Sequence, residues 1–328
     1  MDLFLFHHEE WQRKYNCSMR TNEEWYSYGQ PNIPMGVYCI VVGCFFMTCS
    51  LPCVFVMIAS KQLRIHSAYK MMAFLTTQQC CSLVINCFIT GTMFIEGAVY
   101  CNHPYLLYFA GAAMFGLWEA QSLTCVLLAF SRLVDFWKIS LIAKLFQGNR
   151  VLFWFPFPIL LGLYYIFEPH PALFNSKALN WLSDPYRGMT GIPHDRTLYN
   201  GTKGIIANGT FMITTGVLNV LLIISIVWKS KDAQTSTLSK LQRCVTIQAL
   251  VVCSLEFATS FTYEYMNFAK VTPALNLISI IVYQASCGIG GVIYLLFNKT
   301  IRAHLKKLLK KSNKTTAVYV VTAVNSFT

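Results

Sequence analysis

The chain has 328 residues, of which 55% are hydrophobic and only 12% charged. With a mean hydropathy of +0.46, this composition excludes an ordinary soluble fold, whose surface needs roughly a quarter of its residues charged. The formal net charge of +12 is assigned to membrane topology, and no nucleic-acid partner is expected.

A spanning helix needs about 20 mostly apolar residues, because lipid offers the backbone no hydrogen-bond partner. Residues 1–34 precede the first such stretch and form an extracellular segment. Their start, MDLFLFHHEE, lacks the basic end and long apolar core of a cleaved signal peptide, so the first span is expected to act as its own insertion signal. Seven spans follow, at 35–59, 71–95, 105–131, 151–167, 204–228, 244–268 and 274–297, with a basic tail at 298–328. The fourth is the shortest and contains Pro156 and Pro158, but Arg150 and Glu168 bracket it. The predicted fold class is all-α, a seven-transmembrane-helix bundle, with a short amphipathic helix at the start of the tail.

Lys and Arg in the connections set the orientation, because cytoplasmic segments retain positive charge during insertion. The amino-terminal segment and every second connection carry eight of them, and the other connections with the tail carry eighteen. The amino terminus is therefore expected outside and the tail in the cytoplasm, at the plasma membrane. Juxtamembrane lysines such as Lys306, Lys307, Lys310 and Lys311 also bind anionic membrane lipid. The sequons at Asn16 and Asn200 fall on the outer side and are the candidate glycosylation sites. Those at Asn298 and Asn313 fall inside, and that at Asn208 lies within span 5.

Of thirteen cysteines, ten lie in spans and Cys244 sits at a cytoplasmic helix end, which leaves Cys17 and Cys101 outside. In an oxidising milieu their pairing is the simplest outcome. Two free thiols, or a mate in Cys39 near the top of span 1, are the alternatives.

A carboxylate at bilayer depth costs several kcal/mol unless it finds partners or water. Glu119 lies near mid-membrane in span 3, with Ser122 on its face. On span 6, Glu256, Ser260, Tyr263 and Asn267 share one stripe, with Glu264 near the outer end. Span 7 repeats the pattern with Asn276, Ser279, Tyr283, Ser286, Gly290 and Tyr294. These stripes are either packing seams, where small and polar residues let helices approach, or the wall of a wet pocket. On the second reading Glu119, Ser122, Glu256, Ser260, Tyr263, Glu264, Asn276, Ser279 and Tyr283 contact a small-molecule ligand. No metalloprotease, phosphate-loop, dinucleotide or hydrolase-elbow motif occurs in the chain, so no enzyme activity, cofactor or metal is expected.

Arg132 at the cytoplasmic end of span 3 in LLAFSRLVD, Trp154 in span 4, and GGVIYLLFNKTIRAHLKKLL leaving span 7 resemble a G-protein-coupled receptor. More narrowly, YNCS at Tyr15 to Ser18, SAYKMM after span 1, Tyr100-Cys101-Asn102-His103-Pro104, GLW at Gly116 to Trp118, LLAFSR, KLFQG at Lys144 to Gly148 and Asp184-Pro185 resemble the nematode serpentine receptors of class T, chemoreceptors. The resemblance spans nearly the whole chain. It implies a heterotrimeric G protein as partner, with Arg132 and Tyr294 in coupling. Lys138, Lys144, Arg150, Lys229, Lys231, Lys240 and Arg243 add a positive rim around Arg132.

The chain departs from the wider rhodopsin-like pattern in several places. Gln78-Gln79 stands where a sodium-binding Asp is expected, span 6 lacks the Trp-x-Pro switch, and Gly290-Gly291 replaces Asn-Pro ahead of Tyr294. The loop between spans 4 and 5 has no cysteine, which excludes the usual bridge from that loop to span 3. Ser131 precedes Arg132 in place of an acid, and Asp135 is the candidate substitute one turn later. The competing function is a membrane transporter or channel in which Glu119 and Glu256 relay ions or protons.

Overall fold

In a computed structural model, residues 1–137, 139–168, 170–192, 195–199, 201–231, 240–269, 271–308 and 310 are described. Seven helices among them are long and apolar enough to cross a membrane. They run Ile33–Ala59, Ser67–Glu96, Pro104–Trp137, Arg150–Phe167, Thr202–Lys231, Lys240–Phe268 and Pro273–Phe297, and are called spans 1 to 7 below. Span 3 is the hub, packing on spans 2, 4, 5 and 6, while span 1 closes the bundle against spans 2 and 7.

The ends are set by local chemistry. Span 1 starts two residues before the expected position, where the Asn32 side chain accepts from the Met35 amide at 3.1 Å and Pro34 occupies the first turn. Span 7 starts the same way, with the Thr272 hydroxyl accepting from Leu275 N at 3.2 Å. Gly97 ends span 2 in the left-handed region at φ +70°, which a residue with a Cβ rarely adopts. Span 4 opens with a 3-10 turn at Arg150–Trp154 and becomes α-helical at Pro156, where a proline in the first turn leaves no helical bond unmade. A π-turn over Val84–Ile89 interrupts span 2, and the Thr90 hydroxyl donates to Ile85 O at 2.9 Å.

One boundary changes the reading of a site. Span 3 was expected to stop at Ser131, with Arg132 at its end in the headgroup region. It continues to Trp137, and Arg132 is buried within it. The added turns are held by packing: Phe136 is buried, the Trp137 indole donates to Ser225 on span 5 at 2.9 Å, and its ring lies 5.3 Å from that of Trp228.

Spans 3 and 4 cross where Gly116 faces Gly162, and a Cβ on Gly162 would stand 2.8 Å from the Gly116 carbonyl. Two hydrophobic clusters fill the bundle. One, around Trp118, Tyr108 and Phe174, lies at the end that carries the amino terminus; the other, around Tyr69, Leu128 and Tyr294, lies at the opposite end.

Candidate ligand cavity and its opposite face

Residues 1–32 fold into a cap over one end of the bundle. Of three short helices, Asp2–Phe6 and His8–Lys14 lay aromatic side chains on the top of span 3, and Asn22–Tyr28 sets Trp25 against Tyr186. Trp11 stacks on Tyr105 at 5.8 Å, and Tyr15 meets Tyr100, Tyr108 and Tyr199 edge to face. Cys17 and Cys101 are joined by a disulfide, so the Cys39 alternative and the free-thiol alternative both fall. The Trp25 indole donates to Cys17 O at 2.9 Å and the Tyr186 hydroxyl to Asn16 O at 2.8 Å. Burial pushes Tyr199 up to about 12, and Tyr15, Tyr100 and Tyr186 are raised from the same cause.

The connection from span 4 to span 5 supplies the other half of this surface. A hairpin pairs β1, Leu173–Asn175, with β2, Asn180–Leu182. Its turn is closed by Asn175 Oδ1 accepting from Ala178 N at 3.1 Å, and it holds Leu179 at φ +57°. Asn180 Nδ2 donates to Asn276 Oδ1 at 3.2 Å and to Ser279 Oγ at 3.1 Å on span 7, and Asn276 Nδ2 returns a bond to Ala178 O at 2.6 Å. The Trp181 indole reaches Thr90 Oγ1 on span 2 at 3.0 Å. The hairpin is thus bolted to spans 2 and 7, which fixes the backbone around whatever side chains it presents.

Beside the hairpin, spans 3, 5, 6 and 7 enclose a cavity of about 500 Å³. A cleft of this size is the range in which small organic ligands are held. Trp118, Tyr263 and Tyr283 form an aromatic cluster in its wall; Trp118 and Tyr283 meet edge to face at 5.1 Å. Lys177, Arg187 and Glu168 stand on its loop side. Glu168 is paired with Lys203 at 3.3 Å, and His170 Nδ1 lies 3.8 Å from its other oxygen.

Three of the nine candidate ligand residues, Tyr263, Asn276 and Tyr283, line this cavity. Ser279 and Glu264 stand just behind the wall, Ser279 bonded to the hairpin and Glu264 accepting from Asn208 Nδ2 at 3.0 Å. Ser260 offers its carbonyl to the same Asn208 amide at 3.1 Å. Glu119, Ser122 and Glu256 are buried away from the cavity. Glu119 lies toward Tyr165 of span 4 and Glu256 toward Ser122 of span 3, and among the described residues neither carboxylate has a partner in hydrogen-bond geometry.

Asn208 is a site residue that the sequence reading passed over, weighing it only as a sequon. It is buried, donates twice to span 6, and accepts from the Trp118 indole at 3.3 Å, which ties spans 3, 5 and 6 at the cavity wall. A side-chain amide inside a membrane span was the available signal, and Asn219 on the same helix carries it equally. Lys177, Arg187 and Asn180 were missed because only tertiary structure brings loop residues to the cavity.

At the opposite end Arg132 lies 2.9 Å from Asp135 of its own helix, off the angle of a hydrogen bond, and its Nε donates to Ser131 Oγ at 3.4 Å. Tyr294 is fully buried in the second hydrophobic cluster, at the same end of the bundle. The Tyr69 hydroxyl donates to Asn298 Oδ1 at 3.3 Å and Asn298 Nδ2 to Gln248 Oε1 at 3.1 Å, which joins spans 2 and 6 to the end of span 7. Of the positive rim, Lys144, Arg150 and Arg243 are exposed. Lys138 and the side chains of Lys229, Lys231 and Lys240 lie outside the described residues, as do Asn200, Asn313 and Lys311.

Asn16 is half-buried, and its Oδ1 accepts from Ser18 N at 2.8 Å. Among the described residues no three His, Cys, Asp or Glu side chains gather as a metal site.

Comparison with known proteins agrees with this architecture. The chain is 26% identical over 312 residues to serpentine receptor class T-55 of Caenorhabditis elegans, covering 92% of this chain and 82% of that receptor. The family described as serpentine type 7TM GPCR chemoreceptor Srt matches residues 1–317. Seven spans, a disulfide-tethered amino-terminal segment and a match over nearly every residue lead to one assignment: the chain is a multi-pass membrane protein of the Srt chemoreceptor family.

Proposed function

We propose that the protein is a chemosensory G-protein-coupled receptor. A small molecule enters the cavity beside the hairpin, on the extracellular side, and a heterotrimeric G protein engages the cytoplasmic face around Arg132. The observation that carries this reading is the cavity of about 500 Å³ whose walls are spans 3, 5, 6 and 7. A ligand there touches helices that run on to the Arg132 end, so a differential fit to two helix arrangements is felt at both ends. Tyr263, Asn276 and Tyr283 contact the ligand directly. Glu119, Ser122, Glu256, Ser260, Glu264 and Ser279 act from behind the wall, setting how the helices pack. The charge split supports an outer amino terminus and an inner tail.

The test is a broad compound screen on cells expressing the full chain, with a second-messenger readout. A hit must be lost on Trp118→Ala and on Ile205→Trp, which fills the cavity; responses unaffected by both, at normal surface level, refute the site. Tags placed before Met35 and after Thr328 must be reached from outside and inside respectively. Loss of a glycan on Asn16→Gln or Asn200→Gln would support the same orientation.

The transporter reading rests on Glu119 and Glu256, whose buried oxygens lack partners. Ligand-dependent current or flux in cells without G proteins would favour it.

A further inference from the structure

The cavity carries a charge asymmetry that bears on what it binds. Three charged side chains, Glu168, Lys177 and Arg187, line it, with His170 beside them. The carboxylate is already engaged: Glu168 holds Lys203 at 3.3 Å and has His170 at 3.8 Å. Lys177 and Arg187, by contrast, have no acidic partner within ion-pair distance among the described residues. The wall is therefore electropositive toward an incoming molecule.

Lys177 and Arg187 are both exposed, and exposed charges on a loose loop would carry little weight because solvent screens them. These two stand on a fixed frame. Lys177 sits in the hairpin turn, between the Asn175 cap and the Ala178 carbonyl that Asn276 holds at 2.6 Å. The Arg187 carbonyl accepts from Asn175 Nδ2 at 3.3 Å, and Gly188, at φ +81°, turns the chain directly after it. One asparagine thus fixes the backbone under both cations. The same hairpin is bonded to spans 2 and 7. Trp118 and Tyr283 line the same cavity, with Met114 and Phe115.

We propose that the ligand is a small amphipathic organic anion, its carboxylate, sulfate or phosphate read by Lys177 and Arg187 and its apolar body seated against Trp118 and Tyr283. An ammonium ligand could find the aromatic faces, but it would pass two cations on entry with the single acid of the wall already spent. This inference rests on the cavity being the ligand site.

The experiment uses the full chain in vesicle-free discs of zwitterionic lipid. Thermal stabilisation is measured with hexanoate, phenylbutyrate and phenylbutyl phosphate, each beside the alcohol and the primary amine of the same skeleton. The acids should half-saturate at concentrations about tenfold below their alcohols, and the amines should be weakest. Lys177→Gln with Arg187→Gln should erase the gap between acid and alcohol while leaving binding of the alcohol in place. The inference is overturned if the amines or alcohols match the acids, or if the double variant keeps the preference. Ile205→Trp separates the two levels of argument. If it abolishes binding of alcohols and amines that outperform the acids, the cavity stands and only the anion assignment fails. If it leaves all binding unchanged, the cavity reading fails as well.

Discussion

The Asp135 carboxylate lies 2.9 Å from the Arg132 guanidinium, one turn along the same helix. The acid stands after the arginine here, where rhodopsin-like receptors carry one directly before it. Arg132 is only 5% exposed, so on the proposed coupling role a partner would reach it only when the pair opens. Asp135→Asn should therefore raise basal second-messenger output, by about tenfold if the pair biases the equilibrium by about 1.4 kcal/mol. Arg132→Ala and Arg132→Lys should abolish signalling at normal surface level, because lysine lacks the planar fork of donors. Normal signalling by the lysine variant would reduce Arg132 to part of the positive rim.

The disulfide between Cys17 and Cys101 closes a loop with a sequence separation of 84, for which loop entropy predicts about 4.6 kcal/mol of stabilisation through the constraint on the unfolded chain. Mass mapping of the unreduced protein should recover the joined peptides. Cys101→Ser should lower surface delivery and make the amino-terminal segment sensitive to added protease. Full alkylation of both thiols in folded protein would exclude the bridge.

Asn208 satisfies three groups at once, so its removal leaves the Trp118 indole and one Glu264 oxygen without their bonds. Asn208→Leu should destabilise the purified protein by about 1–3 kcal/mol in thermal unfolding, the usual cost of orphaned buried polar groups. It should also weaken ligand potency by moving Trp118. An unchanged melting temperature would show that the three spans are held elsewhere.

Glu119→Gln and Glu256→Gln keep size and hydrogen bonding while removing charge. If the carboxylates set the packing of spans 3 and 6, either change should shift ligand potency about tenfold with surface level unchanged. Unaltered potency in both variants would leave the carboxylates a purely structural role.

The cap should loosen at alkaline pH. Tyr199, on the connection between spans 4 and 5, rises from an ordinary 10.0 to about 12 where it packs against Tyr15 of the cap, because burial disfavours its phenolate. The unfolded segment thus loses its proton first, and between about 10 and 12 stability falls as pH rises; below 10 the contribution is fully present. Tyr15, Tyr100 and Tyr186 act in the same direction. Protease sensitivity of residues 1–32 against pH, with phenolate absorbance recorded in parallel, would reveal the transition. Phenolates that form at pH 10 with the cap still protected would contradict it.

Spans and disulfide were legible in the sequence because both follow from one-dimensional rules: length of apolar run, and which thiols the spans leave outside. The end of span 3 was not, since Leu133 to Trp137 look like a cytoplasmic connection until span 5 supplies Ser225 and Trp228 to cover them. Tyr263, Asn276 and Tyr283 were legible as inward polar stripes, although periodicity cannot separate a cavity wall from a seam beside it, which is where Glu119 and Glu256 lie. The hairpin escaped entirely. Its strands have three residues each, and its position depends on Asn180 and Asn276 meeting across 96 residues of chain.

The π-turn over Val84–Ile89 accommodates one residue more than a regular helix would. Everything after it in span 2 is therefore rotated by about 100° relative to an uninterrupted helix, and Thr90 faces the Trp181 indole because of that rotation. A relative with a regular span 2 would align to this chain with a one-residue gap inside an apolar helix, where alignment procedures least readily open one. Residue correspondences carried between such receptors without that gap would put lipid-facing positions against bundle-facing ones over the last two turns of the helix.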